Sequence, residues 1–311
     1  MTAAQLVSDE GSTSYWTIYF ISGSNGHDYF LLGHAFKTIT SNGTSIQYRA
    51  SLLDIHDKSY FGTTVINDPE ASFSTDIFNF RSKGFQNFAT TADQFSTIVS
   101  SSSIENATFS FVIQPRGPNF YDAGTGNFFW GTGSTFEFAA PECYVTGNIT
   151  YQGQIIDVIP EKSLAWFDRQ FGSGFGNGWN LFILFLDNGV KTTIWHSPAV
   201  ADGPPQFFGT FLFPDGHHEN YPIDENIHQS IPFVSNQTGF TYYGRHEVNV
   251  LGMDTKLVVQ QPVLAGEMTD PSNPIAGNTL FEGYANVEGI FKGERVTGFG
   301  VAEQAEQQGI V

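Results

Sequence analysis

The chain has 311 residues, enough for one large or two ordinary domains that bury their own cores without metals or disulfides. Its formal net charge of −18 opposes binding to nucleic acid and to anionic lipid surfaces, because both carry negative charge. The single cysteine, Cys143, excludes an intramolecular disulfide and a cysteine-based zinc cluster. Aromatic residues make up 15% of the chain and charged residues only 14%, which favours a hydrophobic small-molecule partner.

The N-terminal stretch MTAAQLVSDEGSTSYW lacks the basic start and apolar centre of a signal peptide. Nowhere does an apolar run reach the ~18 residues that a membrane span needs. We therefore expect a soluble protein, cytoplasmic as the sequence is written or secreted if a signal peptide has been removed. The sequence leaves the compartment and the oligomeric state open.

Short runs rich in Phe, Tyr, Ile, Val and Thr follow one another in chain order, separated by Gly and Asn turn signals. Residues 15–36 predict a hairpin around the turn Ser24-Asn25-Gly26. Residues 179–196 repeat this plan around Asp187-Asn188-Gly189, and residues 207–223 repeat it around Pro214-Asp215-Gly216. The pattern predicts an all-β protein.

Helix signals are weak, and only the segment around Asp93 to Val99 predicts a helical turn or two. The stretches VTGNITYQG at 145–153 and VEGIFKG at 287–293 share an outline, which indicates a weak internal repeat. The repeat favours two β domains, at residues 1–160 and 161–311. One continuous sandwich of many strands is the alternative.

Standard catalytic and cofactor motifs are absent from the sequence: it has no G-x-S-x-G elbow, P-loop, H-E-x-x-H or dinucleotide fingerprint. The adjacent pair His217 and His218 is a poor metal site, because neighbouring residues of a strand point to opposite faces. We therefore expect an activity that needs neither a metal nor an organic cofactor.

The stretch SLAWFDRQFG at 163–172 places polar side chains inside an aromatic run. Strand alternation puts Trp166, Asp168 and Gln170 on one face and Arg169 with its aromatic neighbours on the other. A carboxyl group shielded by rings is suited to general acid or base catalysis near neutral pH. The alternative is a structural latch, in which Asp168 pairs with a buried Arg between domains.

Three further polar residues lie among apolar neighbours in probable strands: Glu137, Glu282 and His34. Each alone is a weak signal, because a single His in such a run is more often a hydrogen-bonded core residue than a catalyst. Only their convergence in space would indicate a site.

The sequence resembles the hydroxyneurosporene-synthase-like family (CrtC-like, AttH-type), and within it fungal kievitone hydratase-like proteins. The resemblance rests on YWTIYFIS at 15–22, SLAWFDRQFG at 163–172 and FEGYANVEGIFKGERVTGFGVAE at 281–303. It implies two consecutive lipocalin-like β-barrel or β-sandwich domains and a pocket for an isoprenoid, polyketide or phenolic molecule. Some relatives hydrate double bonds, and more distant fungal relatives look like Diels-Alderases.

Carried over residue by residue, the resemblance implies that the aromatic-x-Asp pattern of hydration falls on Trp166 and Asp168. The upstream acidic-aromatic pattern falls on Glu137 and Phe138. Carotenoid-type members use an upstream His that this chain lacks, so Glu137 is expected in its place.

The resulting hypothesis is a hydratase or cyclase in which Asp168 donates a proton and Glu137 positions water. Trp166 and Trp179 line the cation site, and Arg169 holds the inter-domain geometry. Substrate-binding residues are expected to be Trp179, Gln170, Phe138, His34 and Glu282. The alternatives are a pericyclase of the Diels-Alderase type, which pre-folds a polyene, and a lipocalin-like carrier without activity.

Overall fold

The computed structural model describes residues 2–5, 7, 11–41, 43–174, 176, 178–199 and 203–306. Strands account for well over half of the described residues, far above the ~20–25% of an average globular protein. The described helical segments are short 3-10 helices at Thr2–Gln5, Asp122–Gly124, Pro160–Lys162 and Ala276–Asn278. The predicted all-β, lipocalin-like class is confirmed, and its two sheets are curled half-barrels.

The first fourteen strands are β1 (Gly11–Ser22), β2 (Asp28–Thr40), β3 (Gly43–Asp54), β4 (Ser59–Ile66), β5 (Ser72–Phe73), β6 (Asn79–Arg81), β7 (Phe85–Ala89), β8 (Ile98–Ser102), β9 (Thr108–Arg116), β10 (Phe120–Tyr121), β11 (Asn127–Trp130), β12 (Gly133–Tyr151), β13 (Gln154–Asp157) and β14 (Leu164–Gly172). The last ten are β15 (Trp179–Leu186), β16 (Lys191–Ser197), β17 (Gln206–Leu212), β18 (His218–Pro222), β19 (His228–Val234), β20 (Thr241–Val250), β21 (Thr255–Gln260), β22 (Glu267–Met268), β23 (Leu280–Phe291) and β24 (Glu294–Ala305).

The three predicted hairpin turns are confirmed between β1 and β2, β15 and β16, and β17 and β18. Each contains a glycine with positive φ, at Gly26 (87°), Gly189 (85°) and Gly216 (90°). A Cβ would strain this backbone, so glycine is the residue that the turn requires. The helical turn expected near Asp93 does not form. The Asp93 carboxylate instead accepts hydrogen bonds from nearby backbone N–H groups, which favours a turn, and strand β8 follows.

The chain divides into two compact units. Unit 1 comprises Met1–Asn119 and Phe136–Ser173, and unit 2 comprises Phe120–Thr135 and Gly174–Val311. The chain therefore passes from one unit to the other three times, which no linker-like composition in the sequence indicates. The domain boundary expected at residue 160 stays a prediction, since a compact unit need not be an independently folding one.

Unit 1 contains a curled sheet with the strand order β4-β3-β2-β1-β14-β12-β9-β8-β7-β6-β5. One face of this sheet packs a core that is dominated by buried aromatic rings. These are Tyr15, Tyr19, Tyr29, Phe78, Phe80, Phe85, Phe109, Phe111 and Phe167. Because side chains alternate along a strand, the neighbours of Tyr15 and Phe167 point to the opposite face, where the candidate site lies.

Unit 2 follows the same plan, with the order β18-β17-β16-β15-β24-β23-β21-β20-β19. In both units a four-strand meander is joined through its first strand to the last long strand of the unit. The repeat segments predicted from the sequence occupy equivalent places, at the ends of β12 and β23. Strands β12 and β23 are each followed by a two-residue turn with positive φ, at 152–153 and 292–293. The core of unit 2 is more aliphatic than that of unit 1.

Candidate active site

The polar face of β14 carries the acid that the sequence analysis singled out. Trp166, Asp168 and Gln170 share this face, as predicted, while Phe167 points into the aromatic core. Asp168 is 4% exposed and Trp166 is fully buried. The indole Nε1 of Trp166 donates a hydrogen bond to Oδ2 of Asp168 over 3.4 Å. The carboxyl group is therefore both desolvated and oriented by its neighbour.

A second buried carboxyl group, that of Glu137, lies on β12, the strand next to β14 in the sheet. Its Oε2 accepts a hydrogen bond from Nε2 of Gln170 over 3.2 Å, and the side chain is 5% exposed. Carboxylate oxygens of Glu137 and Asp168 lie within 4.8 Å of each other. The two acids are thus close enough for one bridging water molecule to relay a proton between them.

A row of side chains continues from Asp168 across four neighbouring strands. The register pairs Asp168 with Trp16, Trp16 with His34, His34 with Arg49, and Arg49 with Thr64. Residues paired in register point to the same face, so this cross-strand row lies side by side on the polar face. The row connects the candidate acid to a buried guanidinium.

Both ring nitrogens of His34 have partners. Arg49 Nη1 donates to His34 Nδ1 over 3.1 Å, and Ser14 Oγ lies 2.9 Å from Nε2. Because a guanidinium can only donate, Nδ1 must accept and Nε2 carries the hydrogen that Ser14 receives. Burial, and to a smaller extent the nearby Arg49 charge, holds the pKa of His34 well below its usual range. His34 is a neutral, hydrogen-bonded part of the row, and its role in substrate binding stays a prediction.

Arg169, on the core side of β14, is fully buried. Its Nη1 donates to the backbone oxygens of Ser14 and Gln170, and its guanidinium lies over the rings of Tyr15 and Phe171. Burial lowers the pKa of Arg169 to about 10, which still leaves the group charged at neutral pH. These contacts fix the end of β14. The inter-domain role assigned to Arg169 stays a prediction.

Phe138 follows Glu137 in β12 and is buried. Its ring lies 6.4 Å from that of Phe95, and Phe95 lies 6.3 Å from Phe167 of the aromatic core. The structure therefore places Phe138 with the core side of the sheet and not beside Asp168. Its substrate-binding role is untested and now has less geometric support than that of Gln170.

Unit 2 holds the remaining predicted residues. Trp179 at the start of β15 is partly exposed, donates its indole N–H to Oε1 of Glu303 and lies edge-on to Trp130 at 4.9 Å. Glu282 is fully buried on β23, where the register pairs it with Glu303 of β24. Trp179 and Glu282 thus converge on Glu303, a residue that the sequence analysis missed.

Unit 2 also contains a carboxyl group that sequence reasoning missed, that of Asp122. It is fully buried, and its Oδ1 accepts hydrogen bonds from Thr193 Oγ1 (2.6 Å) and Trp195 Nε1 (3.1 Å). Burial raises the pKa of Asp122 to about 7, against the smaller opposing effect of those hydrogen bonds. The local sequence Tyr-Asp-Ala-Gly is typical of an exposed turn, so no local signal could have identified it.

Sequence relatives of the chain include a hydratase and a dehydratase. No family model matches the chain. Kievitone hydratase from Fusarium solani subsp. phaseoli is 24% identical, in an alignment that covers 94% of this chain and 82% of that protein. The dehydratase AsqC from Emericella nidulans is also 24% identical, in an alignment that covers 97% of this chain and 87% of that protein.

Solved structures show the same fold. Kievitone hydratase from Nectria haematococca superposes with a TM-score of 0.84 at 20% identity, covering 98% of this chain and 94% of that one. An AttH protein of Nitrosomonas europaea gives 0.78 at 18% identity, covering 96% and 93%. CghA gives 0.59 at 11% identity, covering 96% and 89%.

The resemblance to kievitone hydratase-like proteins is confirmed. The two curated relatives are a hydratase and a dehydratase, which bears out the expectation of an enzyme of the hydro-lyase or cyclase type. Among the described residues, no helix is long and apolar enough to cross a membrane.

Proposed function

We propose that the protein is a cofactor-independent hydro-lyase that adds water to, or removes water from, a carbon–carbon double bond of a hydrophobic natural product. The observation that carries the proposal is the buried pair of carboxyl groups, Asp168 and Glu137, within 4.8 Å of each other. The relatives support the reaction class, because hydration and dehydration are the two directions of one equilibrium. The substrate class proposed is an isoprenoid, polyketide or phenolic molecule.

In the hydration direction, the carboxylic acid of Asp168 protonates the less substituted alkene carbon and leaves a tertiary carbocation. Water attacks the cation and gives its extra proton to the Glu137 carboxylate. Transfer of that proton to Asp168 restores the starting state, so the net change is the addition of one water. We expect the pair to hold one proton between them, because two adjacent buried charges repel each other.

Neighbouring side chains support these roles. The Trp166 N–H orients Asp168, and the Gln170 amide holds Glu137. Aromatic faces stabilise a developing cation without reacting with it, which is the role proposed for the ring of Trp166. Burial keeps the acid protonated near neutral pH, and the exclusion of bulk water prevents water from competing with the alkene for the proton.

The experiment compares two buried aspartates of unit 1, Asp168 and Asp54. Kievitone, the compound in the name of the relative kievitone hydratase, is the first compound to assay. Metabolites of the source organism with and without the protein would identify the natural substrate. Asp168→Asn should lower turnover by roughly 10²- to 10⁴-fold, because Asn keeps the hydrogen bond but cannot donate the proton.

Asp54→Asn is the matched control, since Asp54 is equally buried in unit 1, lies at the end of β3 and changes to a nearly isosteric residue. We expect it to retain activity within about tenfold of the parent. If Asp54→Asn costs as much activity as Asp168→Asn, the loss reflects the removal of any buried carboxyl group and the assignment of Asp168 is wrong. Full activity of Asp168→Asn with a lowered melting temperature would make Asp168 the structural latch considered from the sequence.

A further inference from the structure

The dipeptides His27-Asp28 and His56-Asp57 meet at one end of the β1–β4 meander of unit 1, away from the candidate active site. His27 precedes β2, and His56 and Asp57 lie in the turn between β3 and β4. One ligand-type atom of each of these three residues lies within 4.8 Å of the others. The two imidazole rings stack with centroids 4.3 Å apart and an angle of 28°. This histidine-aspartate trio is separated from Asp168 along the sheet, because Asp168 pairs with Trp16 in the middle of β1.

One buried carboxylate, that of Asp54, holds all three residues of the trio. Its Oδ2 lies 2.8 Å from Nδ1 of His27, and its Oδ1 accepts the backbone N–H groups of His56 and Asp57, each over 2.9 Å. Asp54 is fully buried, so this anchor is shielded from water. A carboxylate that accepts the Nδ1–H of a histidine fixes the tautomer and leaves the Nε2 lone pair for a metal.

The exposure of the trio suits an ion that arrives from solution. The side chains of His56 and Asp57 are 68% and 42% exposed, whereas that of His27 is 26% exposed. Zinc takes imidazole nitrogens and carboxylate oxygens at about 2.0–2.2 Å, which places neighbouring ligand atoms roughly 3.3 Å apart. Nδ1 of His56 and Oδ1 of Asp57 already lie 3.0 Å apart, close to the spacing that a shared ion requires.

We propose that His27, His56 and Asp57 form a binding site for a divalent transition metal, with zinc as the reference ion and a water molecule as the fourth ligand. Two nitrogens and one carboxylate match the ligand preferences of zinc and of its neighbours in the first transition row. The bound ion joins the β1–β2 turn to the β3–β4 turn and stabilises unit 1. The site is structural, since it contains none of the residues assigned to the reaction.

The experiment uses the tag-free full chain, stripped with a chelator and titrated with zinc chloride by calorimetry. We expect one zinc per chain and a rise in melting temperature that grows with zinc concentration, as required for an ion that binds only the folded state. His56→Ala should weaken zinc binding by more than the about 10- to 100-fold typical of losing an outer-shell partner. His56 is exposed, so this variant should fold normally.

His217→Ala is the matched control, because His217 is also exposed and lies between two carboxylates, those of Asp215 and Glu219. This variant should bind zinc like the parent. Absence of stoichiometric binding, unchanged affinity in His56→Ala, or loss of binding in His217→Ala would each overturn the proposal. Turnover of the chelated enzyme is a separate readout, and we expect chelation to lower the melting temperature while leaving activity intact.

Discussion

The two units share one strand plan, but the cross-strand row of unit 1 and the buried residues His246 and Asp122 of unit 2 differ in how their polar atoms are bonded. In unit 1 the cross-strand row is densely bonded: Arg49 alone donates to His34, Gln47 and Thr64. In unit 2, neither ring nitrogen of the fully buried His246 has a hydrogen-bond partner among the described residues. Oδ2 of Asp122 likewise has none among the part of the chain that the structure describes.

The strand plan alone therefore does not determine which buried polar groups are hydrogen-bonded. A buried polar group without a partner costs about 1–3 kcal/mol, whereas a bonded one is close to neutral or favourable. The cross-strand row of unit 1 is therefore buried at little cost to stability, which suits residues that must keep a fixed geometry. His246 and Asp122 carry unbonded atoms that lower the stability of unit 2, and three predictions follow from the contrast between these two sets of residues.

The largest effect is expected at Arg49. Arg49→Met keeps the length of the side chain but removes every donor, which leaves the buried acceptors of His34 and Gln47 unbonded. At about 1–3 kcal/mol for each, we expect a loss of roughly 4 kcal/mol in the free energy of unfolding. Denaturant unfolding measures it.

Arg245→Met in unit 2 is the control, because Arg245 is partly exposed and pairs with Glu247. Removing that surface pair should cost less than about 1 kcal/mol. Equal losses in the two variants would show that the row of unit 1 is not specially stabilising.

The second effect concerns the pH dependence of unit 2. Burial raises the pKa of Asp122 from 3.8 to about 7, so the folded protein keeps a proton that the unfolded chain releases. Stability from this group is complete below about pH 3.8 and falls as the pH rises to about 7. The upper limit is about 4 kcal/mol, at 1.36 kcal/mol per pKa unit.

The difference in unfolding free energy between the parent and Asp122→Asn reports this titration together with that of any acid coupled to it. As the pH rises from about 4 to about 8, the parent should lose stability relative to Asp122→Asn. A difference that is independent of pH would mean that Asp122 is ionised in the folded protein and balanced by a partner.

The smallest effect compares the two buried histidines directly. His246→Leu should raise the free energy of unfolding by about 1–3 kcal/mol, because it removes two unbonded nitrogens beside the Phe182 ring. His34→Leu should lower it by a similar amount, because it leaves Ser14 and Arg49 without their partner. The same sign of change in both variants would refute the contrast between the bonded His34 and the unbonded His246.

Local sequence signals predicted what depends on neighbours along the chain. The glycine turns and the alternation that places Trp166, Asp168 and Gln170 on one face follow from backbone geometry alone. The proximity of Glu137 to Asp168 was suggested only by family resemblance. Strand register decides which residues meet, and it is set by pairing between segments far apart in sequence.

Residues that are buried or brought together by pairing between distant strands could not be predicted from local sequence signals. Asp122 lies in a stretch that reads as an exposed turn, and its burial comes from Thr193 and Trp195, more than seventy positions later. His27 and His56 belong to different hairpins, so their sequence spacing matches no metal-binding motif. Where the Asp93 segment favoured a helical turn, side-chain capping of the backbone prevailed.

The central claim is that Asp168 transfers a proton during addition or removal of water. The most direct test is turnover in a mixture of ¹⁸O-labelled and deuterated water, with mass spectrometry of substrate and product, for the parent and for Asp168→Asn. We predict that the parent places solvent oxygen on one carbon and solvent deuterium on its neighbour, and that Asp168→Asn loses both labels in parallel. A product of unchanged mass without label would contradict the account and indicate a cyclase, while labelling by Asp168→Asn at the parent rate would show that another group supplies the proton.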